Sequence, residues 1–287
     1  MREVIISADD FGISDEVNEA VEAAHRNGVL NTTSLMVAAP ATADAVRRAR
    51  ALDDLHVGLH VVLVNGRPKL PPERVPLLVD RNGEFATDLA AAGVNFFFRP
   101  GVRRQLEAEI RAQFDAFAAT GLPLDHVNAQ NHMHVHPTVL GIILKVGKEY
   151  GLRAVRIPFE PFLPSWRSMR TAMPQRFANA VFLWPWLSLM KQRLRGAGIA
   201  TNDYVFGMND TGHMTAERVV QFIAHLPRGV SELYFHPATT RWAESRGMDD
   251  YDFAGEYAAL VAPSVIEALR GSGARSISYT RLANGAA

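Results

Sequence analysis

Along most of its length this chain alternates short β-rich runs with segments of helical periodicity, the pattern of βα units wound around a parallel sheet. Eight runs read as strands: Glu3 to Ala8, Thr33 to Val37, Leu55 to Leu63, Leu124 to Ala129, Ala154 to Ile157, Asp203 to Phe206, Ser231 to Phe235 and Arg275 to Tyr279. The helices between them are clearly punctuated. Ser14 caps a segment with Val17, Ala20, Val21 and Ala24 on one face, and Gly28 follows its end. After Pro100, apolar Leu106, Ile110, Phe114 and Phe117 recur at helical spacing until Gly121 and Pro123 stop the run. The expected fold is α/β: an irregular (β/α) TIM-like barrel, one domain over residues 1–287.

Two stretches break the alternation. Residues 64–99 are rich in Pro, Gly and Asn and are expected to form a long loop at one rim, a length that usually signals function. Residues 159–200 form an aromatic-rich insert carrying Pro161, Pro164, Trp166, Trp184, Pro185 and Trp186, followed by Lys191, Arg193 and Arg195. Its most apolar part, Val181 to Met190, contains Pro185 and is half the roughly 20 residues a membrane-spanning helix needs. It suits either an interfacial element, with aromatics at headgroup level and cations toward anionic lipid, or a helical lid or homodimer contact.

Composition narrows the function. Lys plus Arg and Asp plus Glu both total 30, so the chain has no basic excess with which to hold a nucleic-acid backbone. There is no cysteine, which excludes disulfides, thiol nucleophiles and Cys-based zinc sites, and leaves His and carboxylate as ligands for any metal. The N-terminus shows only a short apolar run before two acids, so a cytoplasmic protein is expected, with the insert able to rest on the inner membrane surface. Dinucleotide-binding, phosphate-loop and serine-elbow motifs are absent.

In a parallel barrel the C-terminal ends of the strands converge where active sites are built. Here those ends are Asp9-Asp10-Phe11-Gly12, Gly58-Leu59-His60, the run into His132-Met133-His134-Val135-His136, and His236-Pro237. Adjacent carboxylates repel in a low dielectric unless a cation holds both ionised. A divalent ion on Asp10, His60 and one of His132, His134 or His136 answers that requirement, leaving Asp9 as a candidate general base and His236 as a candidate general acid. In extended chain the three histidines share a face, and Pro137 suits the first turn of a following helix. Each has a plain structural alternative: the Asp pair as caps ahead of Ser14, His60 as a core residue, His136 as a structural or supporting residue, His236 as a cap. Arg156 is placed either to orient a carboxylate, to meet a substrate oxygen, or to pair with Glu160.

The boxes Ala8-Asp9-Asp10-Phe11-Gly12, Val57-Gly58-Leu59-His60, Asp125-His126-Val127-Asn128 leading to His132-Met133-His134, and Glu232-Leu233-Tyr234-Phe235-His236-Pro237 resemble, in order and across nearly the whole chain, the YdjC-like (ChbG-type) carbohydrate deacetylases. The pattern departs at Asn128-Ala129-Gln130, where much of that family reads Asp-Ser-His. That variant, the turn Ile157 to Pro161 and the insert are similar to the hopanoid-biosynthesis-associated subgroup.

The resemblance implies a barrel-like fold and a metal-dependent hydrolase that removes an N-acetyl group from an amino sugar, and the subgroup resemblance implies a lipid-linked N-acetylglucosamine as substrate. It implies one divalent ion, zinc or magnesium, at the C-terminal ends of the strands, with Asp10, His60 and His132 as ligands. Asp9 is then the base, His236 the acid, and His134, Arg156 and Gln130 contact substrate or support the site. Two alternatives remain at this level: a metal-dependent phosphoesterase, for which Arg156 is the cationic clamp, and a non-catalytic scaffold at a membrane surface.

Overall fold

The computed structural model describes residues 1–243, 245 and 248–285. Seven strands, β1 (Arg2–Phe11), β2 (Thr32–Leu35), β3 (His56–Val61), β4 (Val127–Ala129), β5 (Tyr204–Phe206), β6 (Gly229–Phe235) and β7 (Arg275–Ser276), form a parallel sheet. Its order is β4-β3-β2-β1-β6-β5, with β7 on the first half of β1. Bridges from Val127 to Val155 and from Ala154 to Ala200 carry the pairing from β4 across to the chain entering β5, so the sheet curls into an irregular α/β barrel.

Those bridges are what remains of the expected strand at 154–157. Beyond them the Asn202 side chain takes the place of a partner strand, accepting from the Ile157 N–H at 2.7 Å and donating to its carbonyl at 2.9 Å. The last expected strand is also cut short. Ser278 Oγ accepts from the Arg281 N–H, and Tyr279 opens a helix instead.

The helices are α1 (Asp15–Asn27), α2 (Thr42–Ala49), α3 (Leu89–Phe98), α4 (Pro100–Ala119), α5 (Pro137–Gly147), α6 (Phe162–Met169), α7 (Met173–Gly196), α8 (Ala216–Ala224), α9 (Phe253–Val261), α10 (Pro263–Gly271) and α11 (Tyr279–Gly285). Ser14 caps α1 as expected, its Oγ accepting from the Val17 N–H. The stretch 64–99 is a loop only in its first part. Asp88 accepts from the N–H groups of Ala90 and Ala91, both at 3.0 Å, and starts α3. Its sequence, LAAAGVNFFF, is apolar almost all round and so lacks the amphipathic period by which helices are recognised. The insert at 159–200 is α6 and α7.

Alternation along β1 sorts its side chains. Val4, Ile6 and Ala8 face outward into the core shared with the helices, while Ile5 joins Ala154, Val230, Ile277 and Tyr279 in the lower barrel. Above that apolar layer the interior turns polar, with Ser7, Asp9, Glu232 and Arg156 all buried. Packing there leaves no slack at Gly58 of β3: a Cβ would lie 2.4 Å from Nδ1 of His126, whose ring stacks on Tyr279. Gly58→Ala should therefore displace His126 and destabilise the fold by ~1–3 kcal/mol, read as a lowered urea midpoint. An unchanged midpoint would contradict this packing.

Candidate active site

Adjacent residues of a strand point to opposite faces, yet Asp9 and Asp10 both reach the barrel mouth. The cause is a bulge: β1 pairs Ala8 with Thr33 and then Phe11 with Leu35, so one extra residue is accommodated in β1. Asp10 absorbs it with φ of 64°, in left-handed backbone that a non-glycine residue seldom adopts. The second strained stretch is the loop after β4, where Asn131 and His132 have φ of 48° and 53°. Gln130–Val135 is thus a tight turn, and His132, His134 and His136 do not share one face of an extended chain as the sequence suggested.

Arg156 fills the centre of the barrel with no exposed surface. It does not pair with Glu160. Its Nη1 donates to Asp9 Oδ2 at 2.5 Å and Nη2 to Oδ1 at 2.9 Å, while Nε and Nη2 reach the two oxygens of Glu232 at 2.9 and 2.7 Å. Glu232 also accepts from Ser7 Oγ and Tyr279 OH, both at 2.6 Å. Glu160 is held instead by Arg176, which also grips Asp210. Burial alone would raise the Asp9 carboxyl, but the Arg156 charge overrides it and holds the group well below the usual carboxylate range. The cation that resolves repulsion within the Asp pair is therefore, for Asp9, a protein side chain.

Asp9 Oδ1 is saturated, accepting from Ser34 Oγ at 2.9 Å and Asn128 Nδ2 at 3.0 Å as well as from Arg156. Oδ2 accepts only from Arg156 and keeps a free lone pair. Asp10 is engaged elsewhere: its Oδ1 lies 3.3 Å from Nε2 of buried His60. Because Asn128 Nδ2 is committed to Asp9 and Ser34, its Oδ1 is the atom that meets His60 Nδ1, at 2.8 Å. Nδ1 must then carry the hydrogen, and Nε2 meets the Asp10 carboxylate in a contact that needs a positive charge, either a proton on Nε2 or a cation between the two. Burial would lower the His60 pKa, yet the hydrogen bond to Asp10 and the charge of Asp9 raise it.

His132, His134 and His236 lie around the same group of charges, and His136 stands apart from it. His132 Nδ1 is buried without a partner, and burial pushes this imidazole down to about 3, so it is neutral with a lone pair to give. His134 Nε2 donates to the Arg156 carbonyl at 3.1 Å, tying the turn to the segment that carries the guanidinium; its Nδ1 and the Gln130 Oε1 are buried without partners. His136 caps α5, accepting from the Thr138 N–H, with Pro137 in the first turn as expected. His236 follows β6; its backbone N–H donates to Glu256 at 2.5 Å and its Nδ1 is buried and unpartnered. Tyr234 lies between the two sides, its ring 5.6 Å from His132 and 5.4 Å from His236, with Arg156 against its face. Among the described residues no three His, Asp or Glu side chains converge tightly enough to hold an ion, and His132 does not close on the Asp10–His60 pair.

Ser34, Glu232, Tyr234 and Tyr279 were not singled out from the sequence. For Glu232 a signal was present: a charge within the apolar run Val230 to Phe235 has to be paired when buried.

Parallel barrels build active sites at this end of their strands, and the site here is of a carboxylate and imidazole type. The chain belongs to the YdjC-like family, whose model matches residues 3–271. A carbohydrate deacetylase of Brevibacillus brevis is 32% identical over 238 residues, 82% of this chain and 81% of that protein. A carbohydrate deacetylase of Vibrio cholerae is 39% identical over 148 residues, but that match spans 51% of this chain and 56% of the relative. The fold is shared with a crystal structure from Enterococcus faecalis described as a cellobiose-phosphate cleavage protein, at a TM-score of 0.74 and 24% identity, with 98% of each chain covered.

Removing the central cation should be costly. Arg156→Met leaves Asp9 and Glu232 buried without their counter-charge and should lower stability by ~3–5 kcal/mol at neutral pH. Without Arg156 the Asp9 carboxyl loses the charge that holds its pKa down, so the deficit should shrink as the pH falls and Asp9 protonates. Urea unfolding across pH checks both; a loss under about 1 kcal/mol would contradict the ion-pair account.

Proposed function

We propose that this protein is a metal-dependent carbohydrate deacetylase, which hydrolyses the acetamide of an N-acetylated amino sugar. The observation that carries the reading is the division of labour within Asp9-Asp10: one carboxylate is held by Arg156, and the other faces a histidine nitrogen across a contact that needs a positive charge, which a bound ion can supply. In chemical kind, though not in spacing, the donors suit a divalent ion of the zinc or magnesium kind: the turn that carries His132 would have to close on Asp10 and His60 for all three to meet one ion. Asp10 and His60 supply an oxygen and a nitrogen, His132 offers an unpartnered buried nitrogen, and Asn128 fixes the His60 tautomer from behind. When bound there, the ion supplies polarisation of the acetamide carbonyl and a lowered pKa for the attacking water.

The remaining steps belong to the chain's own groups. Asp9 takes the proton of the attacking water on Oδ2, the oxygen with a lone pair to spare, while Arg156 keeps that carboxylate ionised and aligned. His236, across the mouth beyond Tyr234, gives a proton to the nitrogen as the C–N bond breaks, releasing acetate and a free amino sugar. His134 supports the site by holding the turn to the Arg156 carbonyl, and Gln130 adds a buried amide oxygen beside it. Arg156 is no clamp for a phosphate, because it is wholly buried and spent on two carboxylates; this disfavours the phosphoesterase alternative.

Between the segment that follows Arg156 and helix α7, Phe159, Phe162, Leu163, Ala180, Val181 and Trp184 line an apolar cleft of about 400 Å³. Phe159 is three residues beyond Arg156, so an apolar aglycone on the sugar has a place to lie. A lipid-linked N-acetylglucosamine matches this pairing of polar mouth and apolar cleft, the hopanoid-linked sugar being the case that the subgroup resemblance names.

Acetate release from a lipid-linked and a soluble N-acetylglucosamine compound, measured side by side with chelator and metal add-back, tests this. The expected result is release abolished by chelator, restored by the ion, and faster for the lipid-linked compound. No release from either by metal-loaded protein would overturn it.

A further inference from the structure

Among the described residues, every exposed large apolar side chain except Met1 and Leu77 lies on α3, α6 or α7. On α7 they form two adjoining stripes at helical spacing, Phe177, Val181 and Trp184, and Phe182 and Leu189 flanking Pro185. Phe182 is 84% exposed. Scattered apolar residues are ordinary on a surface, but a contiguous patch of this kind marks an interface. Both patches abut the turn after β4: Trp186 of α7 donates to the Val135 carbonyl at 2.8 Å, and Phe96 and Phe97 of α3 stand edge-on to His136, each 6.1 Å away. Val135 and His136 end the turn that carries His132 and His134.

The charge on this face is one-sided. From Pro161 to Asn202 there is no Asp or Glu in a chain whose total charge is zero. Arg176 and Lys191 turn inward onto Asp210 and Asp203, while Arg167, Arg170, Arg193 and Arg195 remain at the surface. A second copy docked symmetrically would bring these arginines against their own equivalents. A surface that is apolar beneath and anionic at its face satisfies both features.

We propose that α6 and α7, with α3, dock this protein onto an anionic lipid bilayer, placing the site mouth at the membrane surface. No helix of the described residues is long and apolar enough to cross a membrane, so the contact is peripheral. Aromatic and aliphatic side chains enter the headgroup boundary and the arginines meet lipid phosphates. The inference rests on the reading of the sugar as lipid-linked for its purpose, but not for its test.

Flotation of the full chain with phosphatidylcholine vesicles, with and without phosphatidylglycerol, reads the binding directly. Binding is expected to require phosphatidylglycerol and to weaken at high salt. Phe182→Glu combined with Leu189→Glu should reduce it roughly tenfold or more, and Arg167→Glu and Arg195→Glu roughly fivefold each. All four positions are exposed and outside the site, so acetate release from a soluble acetamido sugar should be unchanged. Wild-type protein that ignores both vesicles would overturn the proposal. So would a dimer in solution that the Phe182 and Leu189 changes dissociate, since the patch would then be covered by a second copy. Vesicle binding without acetate release would support the docking surface and overturn only the deacetylase reading.

Discussion

A guanidinium at the centre of a barrel is expensive, since taking an ion out of water costs several kcal/mol unless partners surround it. Arg156 meets that condition by standing between Asp9 and Glu232, and the rest of the polar interior is arranged around the three. Ser7 and Tyr279 complete Glu232; Ser34 and Asn128 complete Asp9. The same placement separates the adjacent aspartates chemically. Arg156 holds Asp9 while Asp10 faces His60, and Asn128 links the two halves by donating to Asp9 and accepting from His60.

Among the described residues, three of the six non-glycine residues in left-handed backbone lie where this separation is made. Asp10, Asn131 and His132 occupy left-handed conformations, each at ~1–3 kcal/mol. Such strain persists only where the surroundings over-determine it. Asp10 is fixed by the bulge between pairings at Ala8 and Phe11, and the His132 turn by the bond from His134 to the Arg156 carbonyl and by the Trp186 contact of α7. The helix with the most exposed apolar face thus also buttresses the turn that carries His132.

Much of this was legible from residue order. The barrel, the Ser14 cap, the site at the strand ends and the approach of Asp9, Asp10, His60, His132 and His236 to one mouth follow from periodicity and from which residues end the strands. Long-range choices were not legible. Arg156 could have taken Glu160, its near neighbour in sequence, and took Asp9 and Glu232 because alternation aims all three side chains into the barrel. The left-handed turn at Asn131 and His132 has no marker such as glycine, so the histidines looked extended. Helix α3 lacks a polar face, and the strand at 154–157 lost its partner to the Asn202 side chain, which no local pattern announces.

In the proposed reaction the two neighbouring aspartates do different work, Asp9 through Arg156 and Asp10 as a ligand of the proposed ion. Metal content per chain, measured for Asp9→Asn and Asp10→Asn after loading with zinc and removal of the excess, tests it most directly. Asp9→Asn is expected to retain a stoichiometric ion while Asp10→Asn has lost it. Equal retention by both, or loss only from Asp9→Asn, would contradict it.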